Sequence, residues 1–111
     1  MTTTVPTAAD ARELYDFISR RVDEEHTAAL ADETLEGEAQ ARYFRLSNAS
    51  KYGLAGTVES VSYLLAQGDT EGVTRVWHLL TGAGEQWRDH ADYLPSWQNP
   101  QLASIRQALE G

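Results

Sequence analysis

Cysteine is absent from this chain, which excludes a disulfide scaffold, a thiolate zinc site and a cysteine nucleophile. Long apolar runs are absent as well: nothing approaches the roughly 18 consecutive apolar residues that mark a transmembrane helix. The opening Met1-Thr2-Thr3-Thr4-Val5-Pro6 has neither the basic start nor the apolar stretch of a secretory signal. A cytoplasmic protein that binds no membrane is therefore expected. Alternating β-branched runs are missing too, and the apolar residues recur at helical spacing, so no strands are expected.

Positive charge is scarce and almost all of one kind. Of nine basic residues eight are Arg and only Lys51 is Lys, against 17 acids, for a net charge of −8. The imbalance sits at one end: residues 1–38 hold ten acids and three Arg, a net −7, while residues 39–111 hold seven acids and six bases, a net −1. Such a surface repels nucleic-acid phosphates and anionic membranes and attracts a basic partner. Arg in place of Lys, with abundant Ala, is also the usage of a GC-rich genome, where acidity is common to many proteins. That plain reading of the charge is preferred over DNA mimicry or specific steering of a partner.

With 111 residues the chain is long enough to bury a core without disulfides or metal. We expect one helical domain over residues 8–111, behind a frayed segment at residues 1–7. Pro6, then Thr7 with Asp10, gives a capping-box-like start to helix one. Leu14, Phe17, Ile18 and Val22 form its inward stripe, and it continues to about Asp32. A second helix is expected from Leu35 to Ser50, weakened in its first turn by Gly37. Gly53 and Gly56 should then break the pattern, with Thr57 capping a third helix that buries Val58 and Val61 and stops at Gly68. Asp69 caps the fourth, whose stripe runs through Val73, Trp77, Leu80 and Trp87, and whose Gly82 and Gly84 mark either a close helix approach or a kink. Asn99 and Pro100 form an N-cap and N1 pair for a short last helix with Leu102, Ile105 and Leu109 inward. The expected fold is all-α: a compact bundle of four main helices plus a short C-terminal fifth.

The most specific local pattern is Trp87-Arg88-Asp89-His90-Ala91-Asp92-Tyr93-Leu94-Pro95-Ser96-Trp97. It reads as a helix running out and an aromatic corner folding back over its end, with Trp87, His90, Tyr93 and Trp97 as its structural residues. His90 falls where an imidazole favours the negative end of helix four. Asp89-His90-Ala91-Asp92-Tyr93 with Trp97, together with Leu14-Tyr15-Asp16-Phe17-Ile18-Ser19-Arg20-Arg21-Val22-Asp23-Glu24-Glu25, resembles a family of small actinobacterial proteins, some phage-associated, known only as a domain of unknown function. The resemblance rests on an opening helix of apolar residues followed by Arg and acids, and on a closing His-Pro-Asp-Tyr element followed by Trp. Ala91 stands where that family has Pro, and residues 31–68 lack its His-rich helix. The resemblance implies a helical fold and an actinobacterial or phage origin, and no reaction.

No catalytic residue, cofactor or metal is assigned. Helical bundles assemble metals with Glu-x-x-His spacing on facing helices, and this chain has none. His78 and His90 lie about 120° apart on a helix, and consecutive Glu24, Glu25 and His26 point three ways. The aromatics lack the interleaved basic stripe of a nucleic-acid reader, and Arg42, Arg45 and Lys51 read as a solvated face. The expected function is a small acidic protein–protein interaction module, with Glu13, Asp16, Asp23 and Glu24 on helix one as the partner surface. A homodimer, joining that acidic face to the Arg42–Lys51 segment, is one form of this. Two alternatives stand beside it. One is a phage or host inhibitor presenting a DNA-like acidic surface to a nucleic-acid enzyme. The other is a small helical-bundle enzyme using Glu25, His26, His78 or His90, which requires those groups to converge.

Overall fold

A computed structural model describes residues 5–32 and 34–110, with the backbone alone at 101 and 103. Four α-helices run in the order α1 (Ala8–Ala31), α2 (Gly37–Ala66), α3 (Thr70–Gly84) and α4 (Pro100–Glu110), and two 3-10 turns, Glu85–Trp87 and Pro95–Trp97, lie between the last two. The fold is all-α, with no strand among the described residues. None of these helices is long and apolar enough to cross a membrane.

α1 starts as its sequence demands. Thr7 Oγ1 accepts from the Asp10 backbone N–H at 3.0 Å, and the Asp10 carboxylate accepts from the Thr7 N–H at 2.9 Å, so two of the unpaired donors of the first turn are satisfied reciprocally. Of the frayed segment expected at residues 1–7, residues 1–4 lie outside the described residues, while Val5 packs against the core. Leu14, Phe17 and Ile18 are buried, as is Ala11 one turn earlier. Val22 is only half-buried.

The second and third helices expected from sequence are one helix, the 30-residue α2. Gly53 and Gly56 lie inside it, each with open space where a Cβ would be. Thr57 does not cap a new helix. Its hydroxyl donates back to the Gly53 carbonyl at 3.1 Å, and Ser60 does the same to Gly56 at 3.0 Å. Each glycine costs about 1 kcal/mol relative to Ala, which is too little to interrupt a helix whose far half buries Val58 and Val61 against α1 and α3. Gly37, expected within the first turn, instead opens the helix at φ +59°, a backbone state that favours glycine. At the other end Gly68, at φ +71°, stops α2 as expected. The Gly68 N–H reaches the Leu65 carbonyl at 3.1 Å and the Asp69 N–H reaches Leu64 at 3.0 Å.

Asp69 then caps α3, its carboxylate accepting from the Gly72 N–H at 2.9 Å. Gly84 resolves the choice between close approach and kink. A Cβ there would stand 3.2 Å from Leu14 Cδ1 and 3.6 Å from Ile18 Cδ1, so the missing side chain lets the end of α3 lie directly on α1. Beyond Gly84 the chain tightens into a 3-10 turn, which advances more per residue around the axis than an α-helix. Trp87 is half-buried there and still packs against the core. Asn99 opens α4 as predicted, its Oδ1 accepting from the Leu102 N–H at 3.0 Å. Of the expected inward row on α4 only Leu102 is half-buried, while Ile105 is 55% exposed and Leu109 83% exposed.

The core gathers Ala11, Leu14, Phe17 and Ile18 of α1, Val58 and Val61 of α2, Val73 and Leu80 of α3, and Trp97. All of these come from the first half of α1, the second half of α2 and the chain after α3 begins. The remainder of α1 and α2 forms a helical hairpin that projects past this core. Among the described residues from 22 to 54 only Ala29 is buried. The radius of gyration is accordingly 16.0 Å, against about 13 Å for a compact chain of this size.

Candidate functional site

Phe17 is the centre of the aromatic corner. Its ring meets His90, Tyr93 and Trp97 at centroid distances of 5.5, 6.0 and 5.0 Å, and Tyr93 meets Trp97 edge-on at 5.7 Å. Such tilted and edge contacts suit the ring quadrupoles. Three of the four corner residues expected from sequence are thus together. Trp87 makes no such ring contact and lines the groove described below. His90 lies outside the α-helix, in the turn after residues 85–87, and its ring meets Arg21 in place of a helix end. Guanidinium has only N–H donors, so the imidazole offers it a ring lone pair. The same guanidinium sits 5.1 Å over the Phe17 ring and donates to Glu24 at 2.9 Å. Arg21 is buried, a position its place in a charged run gave no hint of.

A second polar cluster lies beneath α4. The buried Glu85 carboxylate accepts from the Tyr93 hydroxyl at 3.0 Å and pairs with Arg106 of α4. Burial, reinforced by the hydrogen bond to Glu85 and its negative charge, pushes the Tyr93 hydroxyl up to about 12. Asn99, also buried, donates to the His78 carbonyl at 2.9 Å and to Thr81 Oγ1 at 3.0 Å while it caps α4. These contacts tie α4 down by its polar side and leave Ile105 and Leu109 outward. A cavity of about 390 Å³ beside this cluster is lined mainly by polar groups, Arg88, Asp89, Gln98 and Arg106 among them.

An open groove of about 500 Å³ lies between the projecting hairpin and the end of α3. α2 supplies a floor of small residues, Ala49, Ser50 and Gly53, and Ala83 continues it on α3. Tyr43, Leu46, Leu54, Val22 and Trp87 form apolar walls. Leu46 is 64% exposed there. Glu25 is the one charged residue of the lining, and no described ion pair includes it.

The four acids expected to form a partner surface are distributed differently along α1. Glu13 is exposed and Asp16 half-buried. Asp23 accepts from Lys51 Nζ at 2.8 Å, which holds the lysine above its ordinary range, and Glu24 pairs with Arg21. The segment from Arg42 to Lys51 also meets carboxylates of its own chain, Arg45 reaching Glu38 at 2.7 Å. Glu25, His26, His78 and His90 do not converge. Glu25 lines the groove, His26 stacks on Phe44 at 4.2 Å, His78 offers its carbonyl to Asn99, and His90 lies against Phe17. No cluster of three or more metal-ligating side chains occurs among the described residues. No family model, curated protein or solved structure matches this chain.

Proposed function

We propose that this protein is a small acidic interaction module that works by holding another protein chain, with the groove between the hairpin and α3 as its contact surface. The observation that carries this reading is the apolar lining of a ligand-sized groove that none of the described residues fills. Pockets of about 300–1,000 Å³ lined by apolar and aromatic groups with few polar ones are the usual form of binding sites. The net charge of −8 supplies long-range attraction for a basic partner and sets the salt dependence of its on-rate. Asp23 and Glu24 support the reading from a second direction. Asp23 pairs with Lys51 of α2 and Glu24 with Arg21 of α1, yet both carboxylates stay exposed, so they add negative charge to the surface next to Val22 and Glu25 of the groove.

A photo-crosslinking residue placed at position 46 tests this in the native host. Position 63 is the control, because Tyr63 is 65% exposed and does not line the groove. A discrete protein adduct from position 46 and none from position 63 is expected. Equal labelling from both positions, or none from either, ends the reading.

A further inference from the structure

We infer that the occupant of the groove is a basic amphipathic α-helix of about three turns, its apolar row seated on α2 and a cationic side chain set on Glu25. This rests on the interaction-module reading above and names the partner that the reading leaves open.

Length comes from the geometry of α2. The groove runs beside α2 from Tyr43 to Leu54, and the rise of about 1.5 Å per residue over that stretch spans about 16 Å, or three helical turns. That matches anchors at i, i+3 or i+4, and i+7 of a docked helix. Backbone chemistry selects a helix over an extended strand. The floor is a helix whose own N–H and C=O groups are already paired, and no sheet edge occurs among the described residues. An extended segment would bring unpaired backbone groups against apolar walls, whereas a helix satisfies its own. The small floor residues Ala49, Ser50 and Gly53 allow the close axis approach of helix packing, and nothing stands within 4 Å of where a Gly53 Cβ would be.

Charge selects a cation. The lining holds one carboxylate, Glu25, and no basic residue. Residues 22–54, which make the hairpin, hold seven acids and three bases, a net −4. A second copy of this chain is the poorer occupant. The exposed apolar residues of its α4, Ile105 and Leu109, bring no free cation to Glu25, because Arg106 of that helix already pairs with Glu85, and two chains of −8 repel. The same pairing holds the chain's own α4 at Glu85, and no described residue of α4 lines the groove.

The test uses the full chain, isotopically labelled, and three synthetic 16-residue peptides. The first carries Leu at helical anchor positions and Lys elsewhere. The second replaces every Lys with Glu, and the third is the first with two central prolines. The first should bind and shift the backbone amides of Ser50 and Gly53 and the indole of Trp87. Glu25→Gln should weaken it by about threefold, the scale of an exposed ion pair, and Glu25→Lys by more. Leu46→Ser should weaken it by roughly tenfold, the scale of one lost leucine contact. All three substitutions fall on exposed side chains, and circular dichroism checks that they leave the helices intact. If the Glu peptide binds as tightly as the Lys peptide, the cationic partner is overturned while the groove remains a docking site. If the proline peptide binds as well as the first, attraction is by charge alone and both readings fail. If no peptide binds at millimolar concentration, the groove is not a docking site. If sedimentation of the free chain shows a dimer that Leu46→Ser dissolves, the occupant is a second copy and the basic helix is overturned.

Discussion

The two ends of this molecule are built from the same two helices under opposite rules. Where the first half of α1 meets the second half of α2, α3 joins them and every inward position is filled: Leu14, Ile18, Val61 and Leu80 are all but inaccessible to water. Where the second half of α1 meets the first half of α2, there is no third helix. Contact is made by a His26–Phe44 stack, a Lys51–Asp23 ion pair and the buried Ala29. The lesson concerns what a helical hairpin can do. Two helices alone cannot enclose both apolar faces, so the stripe that α3 covers at one end is left at the other as the wall of a groove.

Truncating a tryptophan at each end gives the largest contrast. Trp97 is buried against Phe17 and Tyr93, and Trp97→Ala should cost about 3–5 kcal/mol in urea unfolding. Trp87→Ala, on the groove wall, should cost about 1–3 kcal/mol, because it leaves no enclosed cavity. Equal losses would mean that the groove is as much part of the core as the corner is.

Next in size is the Glu85 cluster. Tyr93→Phe removes the hydroxyl that donates to a buried carboxylate, which should cost about 1.5–3 kcal/mol near neutral pH. The sign of its pH dependence follows from a folded-state value of about 12 against 10.0 for the free group. Below pH 10.0 both states are protonated and the stabilisation is fully present. Between 10.0 and about 12 the unfolded chain ionises first, so the stabilisation is lost as pH rises. The gap between wild type and Tyr93→Phe should therefore narrow as pH rises from 10.0 towards about 12. A gap that stays constant would place the hydroxyl in water.

Glycine substitutions sharpen the comparison at the scale of 1 kcal/mol. Gly84→Ala gains about 1 kcal/mol of helix propensity, but its new methyl meets Leu14 at 3.2 Å in a full core, where overpacking costs about 1–3 kcal/mol. It should destabilise. Gly53→Ala and Gly56→Ala meet nothing within 4 Å and should each stabilise by about 0.5–1 kcal/mol. A loss at Gly53 would restore the helix break that the glycine spacing predicts. Smallest of all, Lys51→Met should change stability by less than about 1 kcal/mol, since exposed ion pairs contribute little. A larger loss in thermal unfolding would show that the hairpin depends on this one contact.

Much of the helical framework was legible in the residues. Thr7 with Asp10, Asp69 and Asn99 cap the helices they were expected to cap, and Gly68 ends α2, because capping chemistry acts within a few residues and does not depend on what packs nearby. The same locality misled at Gly53 and Gly56, where intrinsic cost was read as a break and packing of the distant Val58 and Val61 outweighed it. It misled again at Ile105 and Leu109. Their spacing is that of an inward row, but Arg106 and Asn99 hold α4 by its other side.

The candidate site was less legible still. Its apolar walls come from α1, α2 and the turn after α3, and nothing in the spacing of Val22, Leu46 and Trp87 says that they meet. Phe17 was on the expected stripe, yet its partners at positions 90, 93 and 97 are more than 70 residues away, a pairing no periodicity encodes. By themselves the residues determined an all-α chain, most of its helix ends, its acidity and the absence of cysteine chemistry, since these follow from local geometry and counting. Tertiary structure alone decided that two expected helices are one, that Arg21 and Glu85 are buried as partners of His90 and Arg106, and that a groove opens where α3 stops short. Burial and pairing are sums over distant neighbours, and only the folded chain brings those neighbours together.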